Sequence, residues 1–319
     1  MIQLIVNADD LGSGPQRDRG IFAAFTGGIV TSASLLANGA SLVSAAREAL
    51  ARGLPVGVHL NLSEGSALAG PIAGLTDAAG NFPGKTTLRG ILLNGQLARD
   101  AIRRELLAQI ECVRAAGLVP DHLDTHQHCL LFPALTGIVA DVAESSGIRA
   151  LRLPRPAETD GGNPGEADCA AFPAGQAPAD DMVSALCSES SFSQKGVHSP
   201  GAGSPPSVSP LKAELALYRQ LAPAARDTLH ARNLWTPDGL WGMPLLNRLD
   251  AASLTDTLAR IPAGAWELMT HPGHVDPEDP FGGPARETEL NALTSPEIRR
   301  LIDERGIELT SFGACACAC

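Results

Sequence analysis

The chain has 319 residues, which is enough for one large α/β domain or two smaller ones. Its formal net charge of −11 excludes a basic surface for nucleic acids or anionic membranes, and it contains no apolar run of the about 18 residues needed to span a bilayer. Hydrophobic residues make up 44% of the chain but aromatic residues only 4%, so we expect the Ala-, Leu-, Val- and Ile-rich core of a parallel α/β protein. The chain starts in an apolar strand pattern without the features of a signal peptide, which predicts a cytoplasmic protein.

The first predicted strand ends at a pair of carboxylates. Residues 2–6 form the short apolar run of a buried parallel strand, and Asp9, Asp10 and Gly12 follow it. Because neighbouring strand residues point to opposite faces, two aspartates share one site only if the strand ends and turns there. Carboxylates at the end of a buried strand are costly unless they are paired or bound to a metal. Taken alone, this stretch is as typical of a turn or a helix cap as of a catalytic site.

Strand-like and helix-like patterns alternate along the rest of the chain. Further strands are predicted at residues 29–36, 56–62, 122–128, 148–153 and 266–269, and the segment 122–128 runs from strand into loop. Helices are predicted at residues 17–26, 42–51, 97–116, 135–145, 211–230, 254–261 and 296–305. A strand followed by a helix, repeated with short connections, predicts a parallel α/β architecture.

Two segments interrupt this alternation. Residues 158–210 are rich in Pro, Gly and Ser and hold too little periodic apolar content to offset the entropy of ordering them. We predict a long, partly disordered insertion there, clearest at residues 194–209, that could act as a lid. Residues 314–319 alternate Cys with Ala and are predicted to be an unstructured tail without function, with adventitious metal or disulfide capture as the alternative. The rest of residues 1–313 is expected to form a single catalytic domain.

Four of the eight histidines lie at or just after the ends of predicted strands: His59, His126, His128 and His271. In an open parallel sheet or a (β/α) barrel, residues at that edge converge on one site. Asp10, His59 and His126 would supply one carboxylate and two imidazoles, a set that suits a divalent metal with open positions for water and substrate. Two imidazoles favour zinc or another late transition ion. Four unrelated surface histidines are the alternative, disfavoured by their equivalent positions beside a double aspartate.

Several segments resemble, in order, those of the YdjC-like carbohydrate deacetylases, the family of the chitooligosaccharide deacetylases and of a hopanoid-biosynthesis branch. The most specific are Asn7-Ala8-Asp9-Asp10-Leu11-Gly12, Gly57-Val58-His59-Leu60, His122-Leu123-Asp124-Thr125-His126-Gln127-His128 and Met269-Thr270-His271-Pro272. Also similar are Ile29-Val30-Thr31-Ser32-Ala33-Ser34, Arg305-Gly306 and Ser311-Phe312. The resemblance covers about residues 1–156 and 264–313.

The resemblance implies a distorted (β/α) TIM-like barrel that removes the N-acetyl group of an amino sugar or amino-sugar conjugate. Carried over position by position, it makes Asp10, His59 and His126 the ligands of one divalent metal ion and keeps magnesium (Mg) open beside zinc (Zn). It implies an N-acetylated sugar or sugar conjugate as the partner and leaves a homodimer open.

The resemblance also implies a base and an acid for the hydrolysis. Asp9 is similar to the carboxylate that takes a proton from the attacking water, and His271 to the general acid that protonates the leaving amine. Arg152 is weakly similar to an arginine that orients the catalytic carboxylate. Amide hydrolysis needs an activated water, a stabilised oxyanion and a proton for the nitrogen, and a divalent ion with this acid and base can supply all three.

Some assignments stay open from the residues alone. A shift of one residue in the position where the strand bends decides whether Asp9 or Asp10 faces the metal. Asp124 is a candidate for orienting a ligand histidine, and His128 and Asn61 are candidates for contacts to the ligands or the substrate, with structural packing an equally good explanation.

The roles of two tryptophans also stay open, and so do two alternative functions. Trp235 and Trp241 could stack on a sugar ring or pack in the core. The substrate could be a metabolite or glycolipid unrelated to chitin, acted on by a metal-dependent amidohydrolase. A catalytically silent sugar-binding barrel is the other alternative, and the filled acid, base and ligand positions argue against it.

Overall fold

The structure, a computed structural model, describes residues 1–95, 97–157 and 210–317. The predicted insertion therefore lies outside the described residues, apart from residue 210, where a helix begins. Within the described ranges, no helix combines the length and the apolar character that crossing a membrane requires.

The described residues contain eight strands and ten α-helices. The strands are β1 (Ile2–Leu11), β2 (Ser32–Leu35), β3 (Val56–Leu60), β4 (His122–Thr125), β5 (Ala150–Leu151), β6 (Leu240–Trp241), β7 (Gly264–Thr270) and β8 (Ile307–Thr310). The helices are α1 (Pro15–Gly27), α2 (Leu42–Arg52), α3 (Lys85–Asn94), α4 (Arg99–Ala115), α5 (Pro133–Ser146), α6 (Pro210–His230), α7 (Ala251–Arg260), α8 (Ala285–Leu293), α9 (Pro296–Glu304) and α10 (Phe312–Cys317). Two short 3-10 helices cover His126–Leu131 and Met243–Leu245.

All eight strands belong to one parallel sheet in the order β5-β4-β3-β2-β1-β7-β6, and β8 pairs with the first half of β1. Isolated parallel bridges join Ala150 to Trp235 and Pro156 to Leu240, so the two edges of the curled sheet meet. The molecule is a distorted, incompletely closed (β/α) barrel with helices outside, as predicted. All C-terminal strand ends therefore open on one face, where active sites of such folds lie.

The main predicted elements are present, with boundaries moved by a few residues. Helix α5 was predictable because both of its ends carry sequence signals. It begins at Pro133, whose ring suits a first helical turn, and it ends before Gly147, which has the left-handed conformation (φ 69°). The elements that the pattern missed are α3, α8, α10, β6 and β8. Strand β6 has only two residues, which is too short for a periodic signal.

The predicted unstructured tail is wrong for residues 314–317. They belong to α10, where Cys315 is buried in a small apolar cluster with Ile5, Ala150 and Phe312. This cluster lies near the N-terminal ends of the strands, opposite the face that carries the histidines.

Trp235 and Trp241, the two candidates for stacking on a sugar ring, pack within the protein. Trp241 is fully buried, and Trp235 packs edge-to-face against Phe312.

Candidate metal and acid–base site

The pair of aspartates lies on a bulge in β1 rather than after its end. Between Ala8 and Leu11, β1 has one residue more than its partner β2. Asp10 takes up this residue in the left-handed conformation (φ 66°), which aspartate tolerates better than most residues. The sequence predicted a strand that ends and turns; the strand instead continues to Leu11, and the bulge re-aims the side chain of Asp10.

Three potential ligand atoms meet beside this bulge. Oδ1 of Asp10 lies 3.5 Å from Nε2 of His59 and 3.4 Å from Nδ1 of His126, and the two nitrogens are 3.1 Å apart. Two ligands of one divalent ion at about 2.0–2.2 Å lie roughly 3.0–3.5 Å apart in tetrahedral or octahedral geometry. Oδ1 of Asp10 is buried and makes no hydrogen bond within the part of the chain that the structure describes. The donor set and its spacing therefore fit a divalent metal ion.

His59 is oriented for this site by Asp124. Nδ1 of His59 lies 2.8 Å from Oδ2 of Asp124, which leaves Nε2 directed towards Asp10. Both His59 and Asp124 are buried. A carboxylate on the far nitrogen of a ligand histidine fixes its tautomer and ring orientation, so Asp124 is placed as an outer partner of the candidate site.

His126 follows β4 and starts a tight turn in which Gln127 and His128 both have positive φ (59° and 56°). Its Nε2 lies 3.5 Å from a carboxylate oxygen of Glu64. Burial by itself would lower the pKa of His126, but the nearby carboxylates of Asp10 and Glu64 outweigh it and raise the pKa to about 10. Burial would raise the pKa of Asp10, yet the neighbouring histidines, His126 above all, hold it well below its usual range.

Asp9 is held by a buried arginine. Nη1 and Nη2 of Arg152 donate to its two carboxylate oxygens at 2.7 and 2.6 Å, and the side-chain amide of Asn7 donates to Oδ1 at 2.8 Å. Burial alone would raise the pKa of Asp9, but the charge and hydrogen bonds of Arg152 lower it below its usual range. Asp9 therefore stays ionised and its orientation is fixed.

Arg152 pairs with three buried carboxylates in the barrel interior. Besides Asp9, it lies 2.7 Å from Oδ2 of Asp124 and donates to Oε1 of Glu267 at 2.8 and 2.6 Å. Sequence reasoning missed Glu267, although one carboxylate inside the apolar pattern of β7 is the kind of outlier that announces a buried partner. Burial raises the pKa of Glu267 to about 7 against the opposing charge of Arg152.

His271 follows β7 and faces Asp9 across the site. Its Nε2 lies 3.9 Å from Oδ2 of Asp9. Glu289 accepts a hydrogen bond from the backbone N–H of His271 at 2.7 Å, while Arg17 and Arg286 donate to its carbonyl oxygen at 3.1 and 3.0 Å. Burial lowers the pKa of His271 to about 3, although the charges of Asp9 and Asp10 oppose it, so the imidazole is neutral at pH 7. These holding residues gave no signal in the sequence pattern.

Asn61 and His128, which were predicted to contact the ligands or the substrate, have other side-chain partners. The Asn61 side chain accepts from Ser63 and Glu64 and donates to Asn38, so it shapes the loop after β3. His128 packs edge-to-face against Tyr218, and burial lowers its pKa to about 3. The predicted contacts of both residues to the ligands or the substrate stay predictions.

The fold and this cluster define a class of protein: a parallel (β/α) barrel with a candidate divalent-metal site and a candidate acid–base pair at its C-terminal face. A model of the family described as YdjC-like protein matches residues 3–304. The carbohydrate deacetylase of Mus musculus is 33% identical over 334 aligned residues, which cover 98% of this chain and 94% of the mouse protein. A chitooligosaccharide deacetylase of Escherichia fergusonii is 38% identical over 168 residues, covering 51% of this chain and 64% of that protein.

The chain belongs to the YdjC-like family, and by that membership it is an enzyme, a hydrolase of the deacetylase class. The fold agrees with a solved structure, that of an Enterococcus faecalis V583 protein described as a candidate cellobiose-phosphate cleavage protein. That chain superposes with a TM-score of 0.67 at 22% identity, with 98% of each chain covered.

Proposed function

We propose that the protein is a metal-dependent N-deacetylase that hydrolyses the acetamide of an amino sugar or amino-sugar conjugate. The observation that carries the proposal is the meeting of Asp10, His59 and His126 around a buried carboxylate oxygen that has no hydrogen bond within the described residues, beside Asp9 and His271. The names of the mouse and Escherichia fergusonii relatives support a carbohydrate as the substrate.

In this proposal Asp10, His59 and His126 hold one divalent ion, zinc or magnesium. When bound, such an ion lowers the pKa of a water and polarises the acetyl carbonyl. Asp124 keeps Nε2 of His59 directed at the site, as expected of an outer partner of a ligand histidine.

Asp9 accepts the proton of the attacking water, and Arg152 holds its carboxylate in place for that transfer. Because the pKa of Asp9 is below its usual range, the proton does not remain there. The neutral imidazole of His271, with Nε2 3.9 Å from Asp9, can take it on and deliver it to the departing amine. One proton thus moves from water to nitrogen as the C–N bond breaks.

The proposal is tested by acetate release from N-acetylglucosamine and from short chitooligosaccharides, before and after chelation and after addition of Zn²⁺ or Mg²⁺. We expect activity to vanish on chelation, to return with one of the ions, and to be absent in His126→Ala. Activity that survives both treatments would refute the metal mechanism. Metal-dependent hydrolysis of other acetamides, with no activity on amino sugars, would favour the wider amidohydrolase alternative.

Three further statements accompany the proposal. Residues 1–313 form one catalytic domain carrying the insertion, the enzyme works in the cytoplasm, and the resemblance to the family leaves a homodimer open. Limited proteolysis, light scattering and cell fractionation measure these directly.

A further inference from the structure

A chain of buried polar groups leads from Asp9 down through the barrel, away from the catalytic face. The amide Nδ2 of Asn7 is 2.8 Å from Oδ1 of Asp9 and 2.8 Å from Oγ of Ser34. Oγ of Ser34 is 3.2 Å from Nε2 of His122, and Nδ1 of His122 is 2.7 Å from Oδ1 of Asp121. Asn7, Ser34 and His122 have no exposed surface.

Within the described residues, only one arrangement of protons gives the buried hydroxyl hydrogen of Ser34 an acceptor, which is Nε2 of His122. The ionised Asp9 only accepts, so Asn7 must present its NH₂ group, whose second hydrogen points to Ser34. Ser34 therefore accepts from Asn7 and donates its own hydrogen to Nε2 of His122. Nε2 must then be bare, and the ring hydrogen lies on Nδ1, where Asp121 accepts it. Every link has a donor and an acceptor.

The fold makes room for this chain. His122 lies on β4 and Ser34 on β2, with β3 between them, so the ring must cross a strand. It crosses at Gly57, where a Cβ atom would lie only 2.3 Å from the imidazole. On the other side, the ring of Phe312 stacks on His122 with centroids 3.9 Å apart, and Asp121 accepts from the backbone N–H of Gly313 at 3.1 Å.

Serine, histidine and aspartate in this order resemble a hydrolytic triad, but the chain cannot act as one. Substrate cannot reach Ser34, and its hydroxyl already accepts a hydrogen bond from Asn7. Since its upper end is a carboxylate of the catalytic face, the function it can perform is to orient that carboxylate.

We propose that Asn7, Ser34, His122 and Asp121 are positioning residues that fix the orientation of Asp9, with Asp121 setting the tautomer of His122 and Ser34 setting the direction of the Asn7 amide. This inference rests on the proposed role of Asp9 as the base. Arg152 holds Asp9 from one side, and the Asn7 amide supplies the third hydrogen bond that stops the carboxylate from turning.

The matched variants are Ser34→Ala and Ser32→Ala. Both serines lie on β2 and are fully buried, but Oγ of Ser32 has no hydrogen-bond partner within the described residues. We expect Ser34→Ala to lower kcat about tenfold with KM little changed, as the loss of an outer partner does, and Ser32→Ala to leave both unchanged. Equal kcat values for the two variants would overturn the proposal.

A second measurement on the full-length protein does not depend on activity. Nitrogen-15 NMR of wild-type His122 should show a hydrogen on Nδ1 and none on Nε2, and the side-chain NH₂ signals of Asn7 should change in Ser34→Ala but not in Ser32→Ala. A proton on Nε2 of His122, or Asn7 signals indifferent to Ser34, would overturn the positioning chain. If the wild type releases no acetate, the proposed function fails, while these signals still decide whether the chain exists.

Discussion

The two neighbouring aspartates sit in opposite environments. Asp9 accepts three hydrogen bonds of 2.6–2.8 Å from Arg152 and Asn7. Oδ1 of Asp10 has only histidine nitrogens at 3.4–3.5 Å and no hydrogen bond within the described residues. The imidazoles beside them differ in the same way: the pKa of His126 is raised to about 10 and that of His271 is lowered to about 3.

The difference supports the proposed roles of the two aspartates, which the residue types alone leave open. A buried carboxylate oxygen without a hydrogen bond is costly, and a cation between it and two imidazoles removes that cost. A carboxylate saturated by an arginine cannot offer the same oxygens to a metal without losing those bonds. Asp10 is therefore the better ligand, and Asp9 the better fixed proton acceptor.

The most direct way to break this comparison is to neutralise each aspartate in turn. We expect Asp10→Asn to lose the bound ion and to reduce activity by more than the about 10–100-fold that loss of an outer metal partner costs. Asp9→Asn should keep the ion and lower kcat by about 10²–10⁴-fold, the typical contribution of a general base. Metal content and kcat, measured on both variants, check this; if Asp9→Asn loses the metal and Asp10→Asn keeps it, the roles are reversed.

Replacing the histidine on the Asp9 side should affect chemistry alone. We expect His271→Gln to lower kcat about a hundredfold, because the amine then leaves without its proton, and to leave metal affinity unchanged. His274→Gln is the matched control, since His274 is partly exposed and its imidazole pairs with the surface residue Glu287. A kcat close to that of wild type would exclude His271 as the acid.

The raised pKa on the Asp10 side predicts a pH-dependent metal affinity. With a pKa of about 10, His126 is protonated in the metal-free protein at pH 7, so an incoming ion must displace this proton. The affinity should rise about tenfold per pH unit from pH 7 to 9, one proton being released per ion. Competition titrations at several pH values measure it, and a flat profile after correction for the buffer would show that His126 is already neutral.

The smallest expected effect concerns stability on the Asp9 side. Glu267 has a pKa near 7 when folded and about 4.5 when unfolded, so the folded state holds the extra proton between these values. Its stabilising contribution is complete below about pH 4.5 and is lost as the pH rises through 7. Relative to wild type, Glu267→Gln should become more stable by a few degrees in Tm between pH 5 and 8.

Glu308→Gln serves as the control for that series, because Glu308 is exposed on β8. A constant difference in Tm between wild type and Glu267→Gln across the pH range would mean that Glu267 stays ionised beside Arg152.

The strand ends and the histidines were predictable because they depend on local patterns. His59 lies near the end of β3, and His126 and His271 directly follow β4 and β7; parallel strands bring such ends to one edge whatever their order. Arg152 entered only through a resemblance to a family, since nothing in its neighbourhood shows which carboxylate it meets.

The rest depends on sheet order and on contacts between distant elements. The contact of His122 with Ser34 requires β4 and β2 to flank β3 and a glycine at the crossing point. Glu289 holds His271 from α8, a helix that follows a Pro- and Gly-rich stretch and was not predicted. The proposed assignment of Asp9 as base and Asp10 as ligand depends on the left-handed backbone of Asp10, which no sequence periodicity reveals.

The bulge in β1 has a consequence for how this segment can change. Deleting one residue between Ala8 and Leu11 would restore the regular pleat, in which adjacent side chains alternate between the two faces of the sheet. Because only Asp9 and Asp10 lie between Ala8 and Leu11, the same deletion would leave the site with a single carboxylate. Strand β1 should therefore tolerate substitutions outside the bulge more readily than any change in its length. A designed barrel that includes the two aspartates must also include the extra residue of the bulge.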